Sequence, residues 1–324
     1  MRFAIDKTNL RLLVLLAVLV LAFWALIGGG LFAGRTLQSM AFQMPELGIL
    51  SLAMMVTLLS GGLDLSIIAT ADLCALAMAY VLTQHPTGPA WLLWQGLALA
   101  AGAAVATLVG LVNGLIVAYA GVSPILVTLG TMTLVRGLAI GLTHGNVLSG
   151  FPPWVVYLGN GAPGGVPMPL FVFAAVAIPM AIMLRRSPLG ISIALIGSNA
   201  RATQFSGVDT RAALLQVYLL SALLSAVAAL VMMARFNSAN ADYGQSYLLV
   251  TILAAVLGGV SPMGGFGRVS GLVLALVILQ LISSAFNLLN LSGFLTLAIW
   301  GGVLIAVAAV PILRERLGGL FVRP

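Results

Sequence analysis

Charged side chains make up only 6% of this 324-residue chain, 14 Lys and Arg against seven Asp and Glu. An ordinary soluble domain is about a quarter charged, so a soluble globule of this length could not cover its surface, and that class is excluded. Cysteine occurs once, as Cys74, which rules out an internal disulfide and leaves the redox compartment open. Histidine occurs twice, as His85 and His144, both in expected loops. No cluster has metal-ligand spacing, and no Ser, His and Asp arrangement has supporting context. A phosphate loop is missing too. Gly29 to Thr36 reads Gly-Gly-Leu-Phe-Ala-Gly-Arg-Thr, but Arg35 stands where lysine belongs and an apolar run, not a strand, precedes it.

Apolar residues are what the chain has in excess, 61% of the total with a mean hydropathy of +1.17. Its solvent is therefore largely lipid, and the expected fold is all-α: a polytopic bundle of about ten transmembrane helices. The spans read as about 12–33, 44–60, 65–83, 91–120, 124–143, 168–184, 212–234, 246–260, 269–286 and 293–313. Residues 1–324 thus form one expected transmembrane domain, with no room for a folded soluble one. The first run follows Arg2, Lys7 and Arg11 and lacks a small-residue cleavage site, so it reads as an uncleaved helix behind a cytoplasmic N-terminus.

A net charge of +7 would suggest nucleic acid in a soluble protein. Here the basic residues lie mostly in short loops and tails, so they report topology, and nucleic acid is not an expected partner. Threading ten spans from an inside N-terminus puts Arg2, Lys7, Arg11, Arg185, Arg186, Arg201, Arg211, Arg268, Arg314, Arg316 and Arg323 inside. Only Arg35 and Arg235 fall outside, with Arg136 in a span. That imbalance predicts an even span count and two cytoplasmic termini. The inside segment 185–211 begins with the breakers Pro188 and Gly190 and is expected to hold one short helix over Asn199 to Ser206. The outside segment His144 to Pro169, with five prolines, six glycines and no charge, reads as an exposed outer cap.

Polar groups at bilayer depth are costly and normally face a bundle interior or water. Asp64, in Ser60-Gly61-Gly62-Leu63-Asp64-Leu65-Ser66, has two overlapping readings: an ordinary cap in a tight interfacial turn, or the anchor of a broken turn beside a solute path. Asp72, eight residues on and on much the same helical face, is the only acid this reading puts well inside a span. A cation- or polyol-binding role stands against a helix-pairing one. Asn113, Thr128 and Thr131 are further polar candidates for the pathway, and helix-to-helix hydrogen bonding accounts for such groups without a ligand. Glycine pairs at a spacing of four, Gly110 with Gly114, Gly137 with Gly141 and Gly267 with Gly271, mean close helix packing by default. Gly258-Gly259, Pro262 and Gly264-Gly265-Phe266-Gly267 instead interrupt two apolar runs and mark a sharp break.

The run Ser60 to Ser66, the stretch Asn113-Gly114-Leu115-Ile116-Val117 leading to Ser123-Pro124-Ile125-Leu126-Val127-Thr128-Leu129-Gly130-Thr131, and Gly197-Ser198-Asn199-Ala200-Arg201-Ala202 with Ser206-Gly207-Val208 follow one another in order. With Leu257-Gly258-Gly259 and Gly264 to Gly267, this strongly resembles the permease subunits of bacterial ABC importers of the ribose, galactoside and autoinducer-2 type. The resemblance covers nearly the whole chain. It implies a permease of the cytoplasmic (inner) membrane, paired with a second permease subunit, a copy or a paralogue. Cytoplasmic ATPase subunits would bind ATP and Mg, with no cofactor in this chain, and a periplasmic binding protein would deliver a sugar or sugar-like solute. In that family the segment from Gly197 to Val208 docks into the ATPase as a coupling helix; Gly197, Asn199, Arg201, Ala202, Ser206 and Gly207 match its pattern. A branched-chain amino-acid type ABC permease shares the architecture, and an ion-coupled secondary transporter using Asp72 is the alternative from another class.

Overall fold

In lipid the backbone must satisfy its own hydrogen bonds, and continuous apolar runs do so as helices. The computed structural model describes residues 7–84 and 91–320, so His85 lies outside the described residues. In chain order the helices are α1 (Lys7–Ile27), α2 (Gly34–Leu59), α3 (Ile67–Gln84), α4 (Trp91–Ala118), α5 (Pro124–Thr143) and α6 (Pro153–Asn160). They continue as α7 (Met168–Arg186), α8 (Pro188–Phe205), α9 (Thr210–Phe236), α10 (Tyr247–Leu257), α11 (Val269–Leu288) and α12 (Gly293–Leu320). Two short strands, β1 (Leu148–Ser149) and β2 (Ser238–Ala239), pair antiparallel. The protein is an all-α polytopic membrane bundle, and eight of its described helices are long and apolar enough to cross a bilayer. α10 (Tyr247–Leu257), also apolar, is shorter.

Burial orders these helices. The apolar window of α2 is 83% buried and those of α3 and α9 are 67% buried, whereas that of α1 is only 11% buried. α2 is therefore the central post, with α9 packed along it and α3 set against α9 and α4, and α1 lies at the periphery beside α11. Small residues let α4 and α9 pack closely along their length. A side chain at Gly110 would run into the backbone of Leu219 and the methyl of Ala222, and one at Gly114 into Leu215. Gly271 likewise packs on the Gly258 carbonyl, while Gly137 and Gly141 have nothing within 4 Å.

Four expectations need correction. α2 begins at Gly34, not near residue 44. Its first turns are too polar to read as a span, and Pro45 inside it removes only one backbone bond. Segment 185–211 is mostly helix: Ser187 caps α8 by accepting from the Gly190 amide at 3.0 Å, and Ile193 and Ile196 are buried. The breakers Pro188 and Gly190 start this helix, because proline suits a first turn and Gly190 lets α8 fold back on the α7 backbone. The outer cap is folded rather than merely exposed, with Phe151 and Val155 buried and Asn160 donating to the carbonyls of Ala234 and Arg235 at 3.1 and 3.2 Å. Finally, Asp72 is not the only acid within a span, since Glu46 is fully buried in α2.

Replacing Gly114 by leucine should force α4 away from α9, at about the 1–3 kcal/mol typical of overpacking. Thermal unfolding in detergent should show a lowered Tm for Gly114→Leu and an unchanged one for Gly137→Leu.

Candidate functional site

Between α2 and α3 the chain makes a sharp turn that five elements share. Asp64 Oδ1 accepts from the Ser66 amide at 3.0 Å and the Ser66 hydroxyl at 2.6 Å, and Oδ2 accepts from Ser221 of α9 at 2.9 Å. Asn113 of α4 donates to Ser66 Oγ at 2.9 Å. Thr128 of α5 donates to the Leu63 carbonyl at 3.1 Å and to its own Pro124 carbonyl at 2.8 Å. Asp64, Asn113 and Thr128 are all essentially sealed from solvent. Three sequence-derived pathway residues thus meet, but as a knot whose polar atoms are spent mainly on one another. Asp64 closes an Asx turn onto Ser66, whose carbonyl accepts from the Thr70 amide at 2.8 Å to start α3. Asn113 Oδ1 and the Tyr218 hydroxyl are buried beside it without partners. Thr131, one turn along α5, is buried and does not join the knot.

Asp72 lies apart from it, deeper in α3 and 1% exposed. Its carboxylate faces the backbone of Gly244, in the field of the Arg136–Asp242 ion pair, and neither oxygen completes a hydrogen bond. The Arg136–Asp242 contact of 2.8 Å is itself about half exposed.

The other motif-bearing segments converge at the α2 end of the turn. Gly197 is so close to the Leu59 carbonyl and the Gly265 amide that any side chain there would overlap both. Gly264 packs equally closely on the Cα atoms of Gly197 and Gly61, and the Gly265 amide donates to the Leu59 carbonyl at 2.9 Å. Gly61 and Gly264 have φ of +82° and +90°, a conformation side chains resist. Three backbones therefore touch: the end of α2, the loop 258–267, and α8 at its break. That break is Asn199, whose extended backbone (φ −163°, ψ 98°) separates two helical pieces. Asn199 Oδ1 accepts from the Ala202 amide at 3.0 Å, so it N-caps the second piece, which ends before Gly207 in the left-handed conformation. Arg201, Ala202 and Ser206 are exposed on it. Phe205 is 93% exposed, and Met263 and Phe266 on the adjoining loop are 84% and 73% exposed.

One buried group escaped the sequence reading. Glu46 of α2 is paired with Arg235 of α9 at 3.2 Å and accepts from the Tyr247 hydroxyl of α10. Glu46 adjoins Pro45 at the start of an expected span, and Arg235 read as an outside loop charge, so only their distance in space reveals the pair.

A family model described as "Branched-chain amino acid transport system / permease component" matches residues 36–308. The "Autoinducer 2 import system permease protein LsrD" of Klebsiella pneumoniae is 33% identical over 267 residues, 81% of this chain and 78% of that protein. Proteins of the same name from Salmonella typhi and Photorhabdus laumondii are 31% and 30% identical, over 81% and 80% of this chain and 78% of each relative. No solved structure matches.

Asp64→Ala would leave the amide and hydroxyl of Ser66 and the Ser221 hydroxyl without their buried acceptor. Each orphaned group costs about 1–3 kcal/mol, so the variant should lose most of its folded yield in detergent. Asp72→Asn breaks no completed hydrogen bond and should keep wild-type yield and Tm by size-exclusion and thermal assays.

Proposed function

The chain belongs to the family of branched-chain amino acid transport system permease components, and on that premise we propose that it builds the membrane path of an ATP-driven importer whose motor docks on residues 199–207. A separate cytoplasmic ATPase would bind ATP and Mg, and a periplasmic binding protein would deliver the solute. A second permease subunit, a copy or a paralogue, would complete the pathway. The solute is a small sugar-like molecule of the autoinducer-2 class, the cargo named for the relatives.

The observation that carries the docking site is the three-backbone junction at Gly61, Gly197 and Gly264. A push on the short helix after Asn199 meets the end of α2 with no flexible side chain between them. The same turn is tied through Asp64, Asn113 and Thr128 to α9, α4 and α5, so the displacement spreads to the bundle. Phe205, Met263 and Phe266 offer exposed apolar contact around this helix, and Arg201 a polar one.

In this reading the chain crosses the membrane ten times, with both termini and segment 185–211 in the cytoplasm. The α10 segment is the eighth of these crossings and the shortest helix among them. Its helix of 11 residues covers only about 16 Å of a hydrocarbon core of roughly 30 Å. Yet β2 before it pairs with β1 beside the outer cap, and loop 258–267 after it touches the inner end of α2. Flanking turns held inside the protein complete the distance.

Two measurements test the proposal. Ala202→Glu should lower ATP-dependent uptake by about tenfold or more, equivalent to roughly 1.4 kcal/mol, and weaken or uncouple the co-purified ATPase; wild-type uptake and assembly would sink the docking site. In a Cys74→Ala background, Ser149→Cys should label from outside intact cells, and Ser198→Cys and Leu317→Cys only after the inner face is opened. An outside-reactive Leu317→Cys would make the crossing number odd.

A further inference from the structure

A cavity of about 450 Å³ lies between α2, α10, α11 and α12, within the roughly 300–1,000 Å³ usual for small-molecule sites. No residue lining it is charged. Its wall is mostly apolar, with the buried Trp300 as an aromatic face, and the polar side chains set into it include Gln43, Tyr247, Gln280, Ser283 and Asn287. A second opening of about 400 Å³ is lined by Arg35, Gln38, Ser39, Asn160 and Arg235, with Gln43 again in its wall. Gln43 is thus common to both spaces. Its amide is held at that corner, accepting from Gln280 of α11 at 3.3 Å and donating to Ser39 Oγ at 3.0 Å. Tyr247 is fixed from behind, because its hydroxyl is committed to Glu46, which Arg235 pairs.

We propose that the two spaces form one solute path, in which the uncharged cavity is the binding chamber for a neutral polyhydroxylated molecule and the Gln43–Gln280 contact is the constriction at its mouth. This rests on the permease reading and adds to it the place where the solute is held. Sugar-like hydroxyls both donate and accept, and carboxamide and hydroxyl side chains do the same, so each can be matched in either sense. The indole of Trp300 supplies a flat apolar surface for the C–H face of such a molecule. A zwitterionic amino acid or a phosphorylated sugar would instead bring charges that find no counter-ion in the chamber. The basic opening outside it then tolerates many solutes, and discrimination falls to the chamber. The path also gives a reason for the polar residues that begin α2: Arg35, Gln38, Ser39 and Gln43 line water, not lipid.

Thiol labelling decides the chamber whatever the solute. In a Cys74→Ala background, Ser283→Cys in intact cells should react with a glucosyl methanethiosulfonate added outside, a neutral reagent too polar to cross lipid. Adding Gln43→Trp, which fills the shared corner, should slow that labelling about tenfold or more, as for a contact worth roughly 1.4 kcal/mol, with the amount of chain in the membrane unchanged. An unreactive Ser283→Cys, or labelling undiminished by Gln43→Trp, overturns the path. With autoinducer 2 as the probe in the full transporter, Gln280→Glu should cut uptake about tenfold while ATPase co-purification stays at the wild-type level. Unchanged uptake in Gln280→Glu overturns the chamber's role. Uptake by the unmutated chain that needs no ATPase would overturn the permease reading instead, and would leave the labelling result standing.

Discussion

Asp64 accepts three hydrogen bonds where solvent does not reach it, and with the bonds that Asn113 and Thr128 give to the same turn they fix the relative positions of five helices. Water is not at hand to replace a lost partner, so the turn between α2 and α3 has one arrangement in which its amide, hydroxyl and carboxylate groups are all served. In it Ser221 belongs to α9, Asn113 to α4 and Thr128 to α5, and each reaches the same seven-residue turn. Helix packing alone is permissive here, because apolar side chains lose little by sliding along one another in a bilayer. Directional bonds to a buried turn remove that freedom. The glycine junction three residues earlier depends on them: Gly61 can sit against Gly197 and Gly264 only while the turn is held at that height.

Local features were legible in the sequence and distant partnerships were not. The break at Ser60 to Ser66, the interruption at 258–267 and the capping Asn199 all follow from glycine, proline and Asx chemistry within a few residues. The same local reasoning understated α2, because Arg35, Gln38, Ser39 and Gln43 look unlike a membrane helix until the space they line is known. It also judged Asp64 a cap or a pathway group without finding Ser221, which is 157 residues away. Asn113 and Thr128 stand out in the sequence as polar groups in apolar runs, and the structure brings both to the Asp64 turn, where each gives it one hydrogen bond and Asn113 Oδ1 is left without a partner. Glu46 and Arg235 were invisible as a pair because each, taken alone, looked like an interfacial charge.

That ion pair has a different standing from the Asp64 turn. A buried pair gains little over an apolar contact of the same shape, yet removing one member strands the other at a cost of about 3–5 kcal/mol. Arg235 still exposes part of its side chain to the basic opening, whereas Glu46 does not reach solvent. Its carboxylate therefore acts as a fixed post between α9 and α10, holding the Arg235 head at the opening and the Tyr247 ring at the chamber wall.

α2 carries all of these devices in one rod. Leu59, at one end, receives the backbone contact from the loop 258–267 and from α8; Glu46 sits between α9 and α10; Gln43 stands where the two cavities meet. From Leu59 to Gln43 is 16 residues, about 24 Å at 1.5 Å per residue. A helix transmits a push along its axis with little compression, since shortening it would break every backbone bond in turn. The one weak point is Pro45, which cannot donate to the carbonyl four residues before it. It falls between Glu46, which is held by Arg235 and Tyr247, and Gln43, which meets Gln280 of α11. In the proposed importer an axial push arriving from the glycine junction would meet resistance at Glu46 and be relieved by bending at Pro45. That bend would shift Gln43 against Gln280, linking the docking segment to the proposed constriction without unwinding the helix.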